Sequence, residues 1–279
     1  MRKTIGLVSV LGWALAASVH AADRPAVRVV RDLPYVQGAR YPDNKDKLDV
    51  YVPQGRTNVP VIVSYYGGAL MAGDKSEHAF IGQRFAAAGF VTVVVNYRLS
   101  PGVAHPAHVQ DAAASFAWVK RNIAGYGGDP NRIFLIGHSA GAYLVALLST
   151  DERYLAGHKL SLRDIRGVVP VSAFYWVERT GVAPDRDKSV WGTDTRVWVD
   201  ASPAHHLHAG VPPMLILYAD GDEDWRRRQN VEVAQAIKAA GSGNVTLAMI
   251  KGRTHMSIWN DMGAEHDEVA ERIIAFVSR

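Results

Sequence analysis

The stretch from residue 133 to 149, IFLIGHSAGAYLVALLS, constrains the fold of this chain more than any other. An apolar run leads through a five-residue turn, with glycine at both ends (Gly137 and Gly141), into an apolar segment of helical character. A serine at the centre of such a G-x-S-x-G turn between a strand and a helix is a candidate nucleophile. Ser139 holds that place, and the N–H of Ala140 at the helix start is a candidate donor to a developing oxyanion.

The two glycines of this turn also carry a structural expectation. A side chain at Gly137 or Gly141 would collide with the neighbouring strand or helix, so a tight turn needs glycine at both places. The alternative is an ordinary glycine-rich turn without chemistry. The apolar strand before the turn and the apolar helix after it favour the nucleophile.

Residues 1 to 21 have the pattern of a secretory signal peptide. Arg2 and Lys3 precede an apolar run from Ile5 to Val19, and small residues follow it up to Ala21. The run is shorter than the roughly 20 residues that span a bilayer, which argues against a membrane anchor. We therefore expect cleavage after about Ala21, a periplasmic or secreted protein, and no stable membrane insertion.

Composition limits the remaining function classes. The formal net charge of the 279-residue chain is +4, and loss of Arg2 and Lys3 leaves about +2, with no block of basic residues. Nucleic acid is therefore not an expected partner. The chain has no cysteine, which excludes disulfides, a thiol nucleophile and a cysteine-ligated metal. Residues 22–279 fit the size of one domain.

Strand and helix patterns alternate along the mature chain, after two alternating segments that predict an antiparallel edge. Apolar runs alternating with periodic helices predict a mostly parallel sheet with helices on both faces, an α/β fold. Ligands bind such sheets beyond the C-terminal ends of the strands, where Ser139 lies. The predicted strands are 27–36, 47–52, 59–65, 90–96, 132–136, 167–171, 213–218 and 245–250, and the predicted helices are 106–123, 140–149, 226–240 and 264–277.

A glycine pair follows the third predicted strand, in the segment SYYGGALMAGDK at residues 64–75. Glycine lets backbone N–H groups approach a substrate without interference from a side chain. Gly68 and Ala69 are therefore candidate oxyanion donors that would complement Ala140.

Taken together, these segments resemble the α/β-hydrolase family, and within it the esterases with an HGGxW-type oxyanion loop. That group includes relatives of hormone-sensitive lipase, kynurenine formamidase and small acetylxylan or feruloyl esterases. The chain departs from the pattern at Tyr66, where the family has histidine, and at Leu70, where it usually has tryptophan. The resemblance is carried by KLDVYVP, YYGGALMAGDK, VVVNYRLSP, HPAHVQDAAASFAWVKRNIAGYGGDPNRI, GHSAG, GDED and GRTH.

The resemblance implies an acid after the next-to-last strand and a histidine after the last one. Four acids follow the strand that ends at Tyr218, in ADGDEDW. The family pattern resembles Gly-x-x-Asp and favours Asp224, with Asp222 as the second choice and Asp220 as the third. Each of the others is interpreted as a solvated turn carboxylate.

His255, in the loop KGRTHMS after the last strand, is the candidate base. A serine hydroxyl is a poor nucleophile until an imidazole takes its proton, and a buried carboxylate sets the tautomer of that imidazole. His105 and His108 flank the start of a predicted helix, and His138 lies inside the turn of the nucleophile. The cluster of His205, His206 and His208 could suggest a metal, but ligands at such adjacent spacing mostly point apart, so these three are interpreted as surface or packing residues.

The segment from Phe174 to Val211 is longer than a usual connection between core strands, and we expect it to form a lid-like insertion over the active site. Its rings, Tyr175, Trp176, Trp191 and Trp198, either line an acyl or alcohol pocket or pack the insertion onto the body.

The sequence therefore predicts a serine carboxylic-ester hydrolase that works on small ester substrates through an acyl-enzyme, with no cofactor and no metal. Ser139, His255 and Asp224 would form the triad. An amide hydrolase of the arylformamidase or small-peptidase type is the rival enzyme, because one triad cleaves either bond. A non-catalytic binding protein of the same fold is the rival from another class, and the oligomeric state is left open.

Overall fold

The structure, a computed structural model, describes residues 25–36, 38, 41, 43–180 and 184–279. The predicted signal peptide, residues 1–21, lies outside the described residues. No helix in the described ranges has the length and apolar character that crossing a membrane requires.

The described residues form a single eight-stranded sheet. Its strands are β1 (Val27–Pro34), β2 (Lys47–Pro53), β3 (Val59–Tyr65), β4 (Val91–Val95), β5 (Gly128–His138), β6 (Gly167–Val171), β7 (Met214–Gly221) and β8 (Val245–Thr254). They lie in the order β1-β2-β4-β3-β5-β6-β7-β8. The pairs β1–β2 and β2–β4 are antiparallel, and the other neighbours are parallel. The predicted antiparallel edge and mostly parallel sheet are confirmed.

Helices cover both faces of the sheet. Successive side chains of a strand point to opposite faces, and in these strands the side chains on both faces are apolar and packed against helices. Ile62 of β3 and Ile136 of β5 pack with the face that holds α1 and α9, whereas Val63 and Leu135 pack with α2, α3 and α7. The helices are α1 (Ala79–Ala87), α2 (Ala107–Asn122), α3 (Ala140–Thr150), α4 (Arg153–Ala156), α5 (Pro184–Trp191), α6 (Thr195–Asp200), α7 (Asp224–Ala239), α8 (Ser257–Asn260) and α9 (Glu268–Val277).

Several elements differ from the prediction: β5 runs from Gly128 to His138 rather than over 132–136, β7 extends to Gly221, and α7 begins at Asp224 rather than at 226. The short helices α4, α5, α6 and α8 were not predicted. Helix α1 was not predicted, yet the parallel pair β3 and β4 needs a crossover of this kind. Strand β8 continues past Ile250 to Thr254. Helix α9 begins at Glu268 rather than Ala264, because the Asp267 side chain caps it by accepting a hydrogen bond from the N–H of Ala270.

Parallel strands bring four chain segments to one edge of the sheet. Ser139 follows β5, the acidic turn ends β7, His255 follows β8, and the glycine pair at Gly67 and Gly68 follows β3. All four strands are parallel, so their C-terminal ends lie together and form the crevice in which ligands of such sheets bind.

Candidate active site

Ser139 occupies a strained turn between β5 and α3. Its φ is 53° and its ψ is −112°, a conformation that residues with a side chain rarely adopt. A Cβ added at Gly137 would lie 2.4 Å from the carbonyl oxygen of Gly141, and one at Gly141 would lie 2.2 Å from that of Tyr65. The expected need for glycine at both ends of the turn is confirmed.

The structure brings His255 to Ser139. The Ser139 hydroxyl donates to Nε2 of His255 across 2.9 Å. The Nδ1–H of the same ring donates to Oδ1 of Asp222 across 2.6 Å. The carboxylate thereby fixes the tautomer in which Nε2 is free to take a proton from the serine.

The prediction of Asp224 as the acid is wrong, and Asp222 takes the place. The Asp224 side chain is 73% exposed and pairs with Arg227 one turn along α7, whereas that of Asp222 is 0% exposed. Asp224 is the first residue of α7, so its side chain lies on the helix surface. Asp220 is not the partner either, because it accepts from the N–H groups of Gly252 and Arg253 on β8.

Asp222 accepts hydrogen bonds from Ser172, which follows β6, and from Ala219 of β7, in addition to the one from His255. Its Oδ2 accepts from the hydroxyl of Ser172 at 2.6 Å and from the N–H of Ala219 at 3.0 Å. Burial alone would raise the pKa of Asp222, but the hydrogen bonds from His255 and Ser172 outweigh it and lower the pKa below its ordinary value. The carboxylate is therefore ionised where it must stabilise an imidazolium.

His138, next to the nucleophile, holds the loop of the base. Its Nε2–H donates to the backbone carbonyl of His255 at 2.7 Å, and its ring stacks on Trp259. Burial, reinforced by the neighbouring His255, lowers the pKa of His138 to about 3. The imidazole is thus neutral. The sequence placed His138 inside the elbow but gave no sign of its partner, which lies 117 residues away.

The loop after β3 presents backbone N–H groups beside the nucleophile. Gly68 and Ala69 have φ values of 120° and 58°. Among the described residues, no hydrogen bond is donated by the N–H of Gly68, Ala69 or Ala140. A Cβ at Gly67 would come within 3.2 Å of the Ser139 Cβ, so the loop lies against the serine. These N–H groups are therefore without a hydrogen-bond partner among the described residues, and their role as oxyanion donors stays a prediction.

A buried polar brace supports this loop. The Nζ of Lys45 donates to the carbonyl of Gly73 at 2.8 Å and pairs with Asp74 at 3.1 Å. The side-chain amide of Asn96, after β4, donates to the same carboxylate at 2.8 Å. The loop is therefore fixed to the antiparallel edge of the sheet, a role that the sequence did not indicate for Lys45.

Tyr66 supports the loop by packing alone. Its ring stacks on those of Tyr97 and His78, with centroids 4.5 and 5.4 Å apart. Its carbonyl accepts from the hydroxyl of Tyr97 at 2.8 Å. The Tyr66 hydroxyl is buried and has no hydrogen-bond partner among the described residues. Leu70, the second departure from the family pattern, is buried.

Among the described residues, one group of metal-ligand side chains lies close enough to share an ion: Asp222, Glu223 and His255, with ligand atoms within 4.8 Å of one another. Asp222 and His255 already bond to each other, and Glu223 pairs with Arg226. These contacts favour proton transfer over metal binding.

The reacting groups open into a cavity of about 680 Å³. The insertion contributes Phe174 and Arg186 to its wall. The rings that the sequence singled out serve packing instead. Trp191 donates to the hydroxyl of Tyr143 at 3.2 Å, and Trp198 donates to the carbonyl of Gly192 at 2.9 Å. Tyr175 and Trp176 are buried.

Comparison with known proteins gives a family match and named relatives. The model of the family BD-FAE matches residues 48–237. Esterase LipQ of Mycobacterium tuberculosis is 28% identical over 241 residues, which are 80% of this chain and 56% of that protein. The isoprenylcysteine alpha-carbonyl methylesterase of Arabidopsis thaliana is 35% identical over 255 residues, 84% of this chain and 59% of that protein. The chain thus spans little more than half of these two relatives.

Solved structures show the same fold. A truncated carbohydrate esterase from gut microbiota has a TM-score of 0.76 at 22% identity, over 91% of this chain and 98% of that one. Esterase B of Lactobacillus rhamnosis has a TM-score of 0.74 at 19% identity, over 92% and 89%. These likenesses confirm the predicted α/β-hydrolase fold.

Proposed function

The chain belongs to the BD-FAE family, of α/β-hydrolase esterase type, and we propose that it is a serine hydrolase of carboxylic esters. The observation that carries the proposal is the unbroken relay from Asp222 through His255 to Ser139, with hydrogen bonds of 2.6 and 2.9 Å. The esterase names of the curated relatives support ester bonds as the target.

The reaction proceeds through an acyl-enzyme. The Ser139 oxygen attacks the ester carbonyl while its proton passes to Nε2 of His255, and Asp222 stabilises the resulting imidazolium. The N–H groups of Gly68, Ala69 and Ala140 donate to the oxyanion. The imidazolium then protonates the departing alcohol. A water molecule, deprotonated by His255, attacks the acyl-enzyme. The imidazolium returns this proton to the Ser139 oxygen as the carboxylic acid leaves.

The test is hydrolysis of short-chain p-nitrophenyl esters together with labelling by a fluorophosphonate, which reacts readily only with an activated serine. We expect a burst of p-nitrophenol and a label on Ser139. Ser139→Ala should fold and take no label, and its kcat should fall by a factor on the order of 10⁶. Ser278→Ala, at the exposed end of α9, is the matched control that keeps both.

Two outcomes would redirect the assignment. Faster cleavage of p-nitroanilides than of the matching esters would select the amide-hydrolase alternative. A folded chain that takes no label would select a binding protein. A screen over feruloyl and acetyl-sugar esters then ranks the natural substrates.

We also propose that the chain is exported and cleaved after about Ala21. Arg2, Lys3 and the apolar run after them support this. The test is expression of the full chain in a Gram-negative host, followed by N-terminal sequencing of the protein in each fraction. Periplasmic or secreted protein beginning near Ala22 is expected, and an uncleaved cytoplasmic chain would contradict the proposal.

A further inference from the structure

Two arginines that the relay does not use line the cavity beside Ser139 and His255. Arg186 comes from α5 of the insertion and Arg226 from the first turn of α7. Their side chains are 17% and 9% exposed. Arginine is rarely buried to this degree without partners, so each guanidinium should have groups that stabilise its charge.

Each guanidinium is fixed by neighbours on part of its donor set. Arg226 donates from Nη1 to the carbonyl of Ser172 at 3.0 Å and from Nε to Glu223 at 3.2 Å, and it lies over the ring of Trp225. Arg186 pairs with Asp187 and lies 5.6 Å above the centre of Trp191. These contacts reduce the freedom of both side chains, so a ligand would meet them already in place.

Donors remain on both groups. A guanidinium carries five N–H donors. Within the described ranges, no hydrogen bond is donated by Nη2 of Arg226 or by Nη1 of Arg186. Burial lowers the pKa of Arg226; Glu223 opposes this, and the positive charge of Arg186 adds to the lowering. The repulsion between two positive charges in one cavity decreases when an anion binds between them.

The other residues that line the cavity include the apolar side chains of Phe80, Met256 and Trp259, and also Glu77. Among the lining residues, Arg186 and Arg226 supply the only guanidinium groups, so an anion is best accommodated beside them. A neutral hydrocarbon or aromatic part of a substrate fits the apolar residues.

We propose that Arg186 and Arg226 bind a second, ionised carboxylate of the substrate, so that the preferred substrates are esters that carry one. This inference rests on the proposed ester hydrolysis and names a substrate class for it. Guanidinium and carboxylate match in geometry, because both are planar and form paired hydrogen bonds. The insertion supplies one of the two binding groups, Arg186, and the core helix α7 supplies the other, Arg226.

The experiment compares two esters that differ only in the charge. Mono-p-nitrophenyl succinate and p-nitrophenyl butyrate have acyl chains of equal length, with a carboxylate in one where the other has a methyl group. The carboxylate of the succinate also releases p-nitrophenol without enzyme, by attacking its own ester carbonyl to form the cyclic anhydride, so the enzyme-free rate is subtracted for each ester. We then expect kcat/KM for the succinate to exceed that for the butyrate by at least about tenfold, with most of the difference in KM. A second pair, 4-acetoxybenzoate and 4-acetoxybenzamide, places the charge on the leaving group.

The variants Arg186→Gln and Arg226→Gln should bring the ratio of charged to neutral substrate to within about twofold of one. The ratio is the readout because Arg226 also lies 4.0 Å from Asp222, so its loss can lower kcat for both esters. Arg228→Gln is the matched control: it removes an exposed arginine of the same helix that does not line the cavity, and should leave the ratio unchanged.

The outcomes separate this proposal from the proposed function. Hydrolysis of both neutral esters with no arginine-dependent preference in either pair would overturn the substrate class and leave the esterase standing. If no ester is turned over, calorimetry of monomethyl succinate on the Ser139→Ala protein still decides. Binding that weakens at least tenfold in the Arg186→Gln background supports the carboxylate site, and equal or absent binding overturns it.

Discussion

The two sides of the candidate active site are built by different means. On the side of the relay, two hydrogen bonds join Ser139, His255 and Asp222 side chain to side chain. On the side of the oxyanion loop, the proposed donors are backbone N–H groups, and positive φ values at Gly68 and Ala69 determine their position. The relay therefore depends on which side chains are present, whereas the loop depends on the path of its backbone.

This difference explains why the departures from the family pattern fall where they do. Tyr66 and Leu70 change side chains in the loop, yet both are buried in packing and leave the backbone donors in place. A comparable change in the relay would remove a reacting atom. The loop tolerates new side chains but not a new backbone path.

The largest effect should come from the acid of the relay. Asp222→Asn should lower kcat on the order of 10⁴, because the amide favours the wrong tautomer of His255. Asp224→Asn is the matched control, because Asp224 is two residues away and exposed. Its kcat should stay within about twofold of that of the unchanged protein. Steady-state kinetics on one p-nitrophenyl ester measure both. A severe loss in Asp224→Asn with a mild one in Asp222→Asn would restore the prediction made from the sequence.

The next effect should come from the backbone of the loop. Gly68→Ala would bring a Cβ to 2.1 Å from the carbonyl oxygen of Ala72 at a φ of 120°. The loop must move, and loss of an oxyanion donor costs roughly 10²–10³ in kcat. Gly125→Ala, whose Cβ would meet no atom within 4 Å, is the control. Circular dichroism verifies the fold of both. Unchanged kcat in Gly68→Ala would mean that the donors lie elsewhere.

Acid should destabilise both sides through buried neutral histidines. Burial lowers the pKa of His78, which stacks on Tyr66 of the loop, to about 4, and that of His138, beside the relay, to about 3. In the unfolded chain these histidines have a pKa of about 6.5. Below that pH the unfolded chain therefore binds protons that the folded chain does not bind. The free energy of unfolding therefore falls as pH decreases from about 6.5 to 4, by up to about 1.4 kcal/mol per pH unit for each histidine.

Urea unfolding at pH 7, 6, 5 and 4.5 measures this slope. His78→Gln and His138→Gln should each reduce the slope of the unfolding free energy against pH by the amount that corresponds to about one proton. His208→Gln, on an exposed loop, is the control and should leave it unchanged. Parallel slopes in all four proteins would show that neither buried histidine resists protonation.

The smallest effect should come from the hydroxyl of Tyr66. Tyr66→Phe should leave kcat unchanged and shift the free energy of unfolding by no more than about 1 kcal/mol, because that hydroxyl has no partner among the described residues. Tyr97→Phe is the comparison: it removes the 2.8 Å bond to the Tyr66 carbonyl and should destabilise the protein by about 1 kcal/mol. A loss of 10² or more in kcat for Tyr66→Phe would mean that its hydroxyl donates to the oxyanion.

The sequence predicted those parts of the site that local pattern determines. Glycine spacing and apolar flanks located Ser139, and chain order located His255 after the last strand. The choice between Asp222 and Asp224 failed because it depends on where α7 begins: one residue lies in the buried turn and the other on the helix surface. A Gly-x-x-Asp pattern carries no information about that boundary.

Residues that act across the fold could not be predicted in the same way. His138, Lys45 and Arg226 contact partners far away along the chain, and nothing in the sequence around them indicates those partners. Helix α1 was missed because it is only nine residues long, has a glycine, Gly82, in its interior and is flanked by further glycines. Only the parallel pairing of β3 and β4 requires it.

The strained turn at Ser139 has a consequence for the history of the chain. A residue with a side chain held at φ 53° and ψ −112° costs on the order of 1–3 kcal/mol, a sizeable part of the stability of an ordinary domain. Mutation and selection for folding alone would replace the serine by glycine, which adopts positive φ without this strain. Selection for stability alone would therefore have relaxed this turn, and the strain that remains at Ser139 supports its proposed role as the nucleophile.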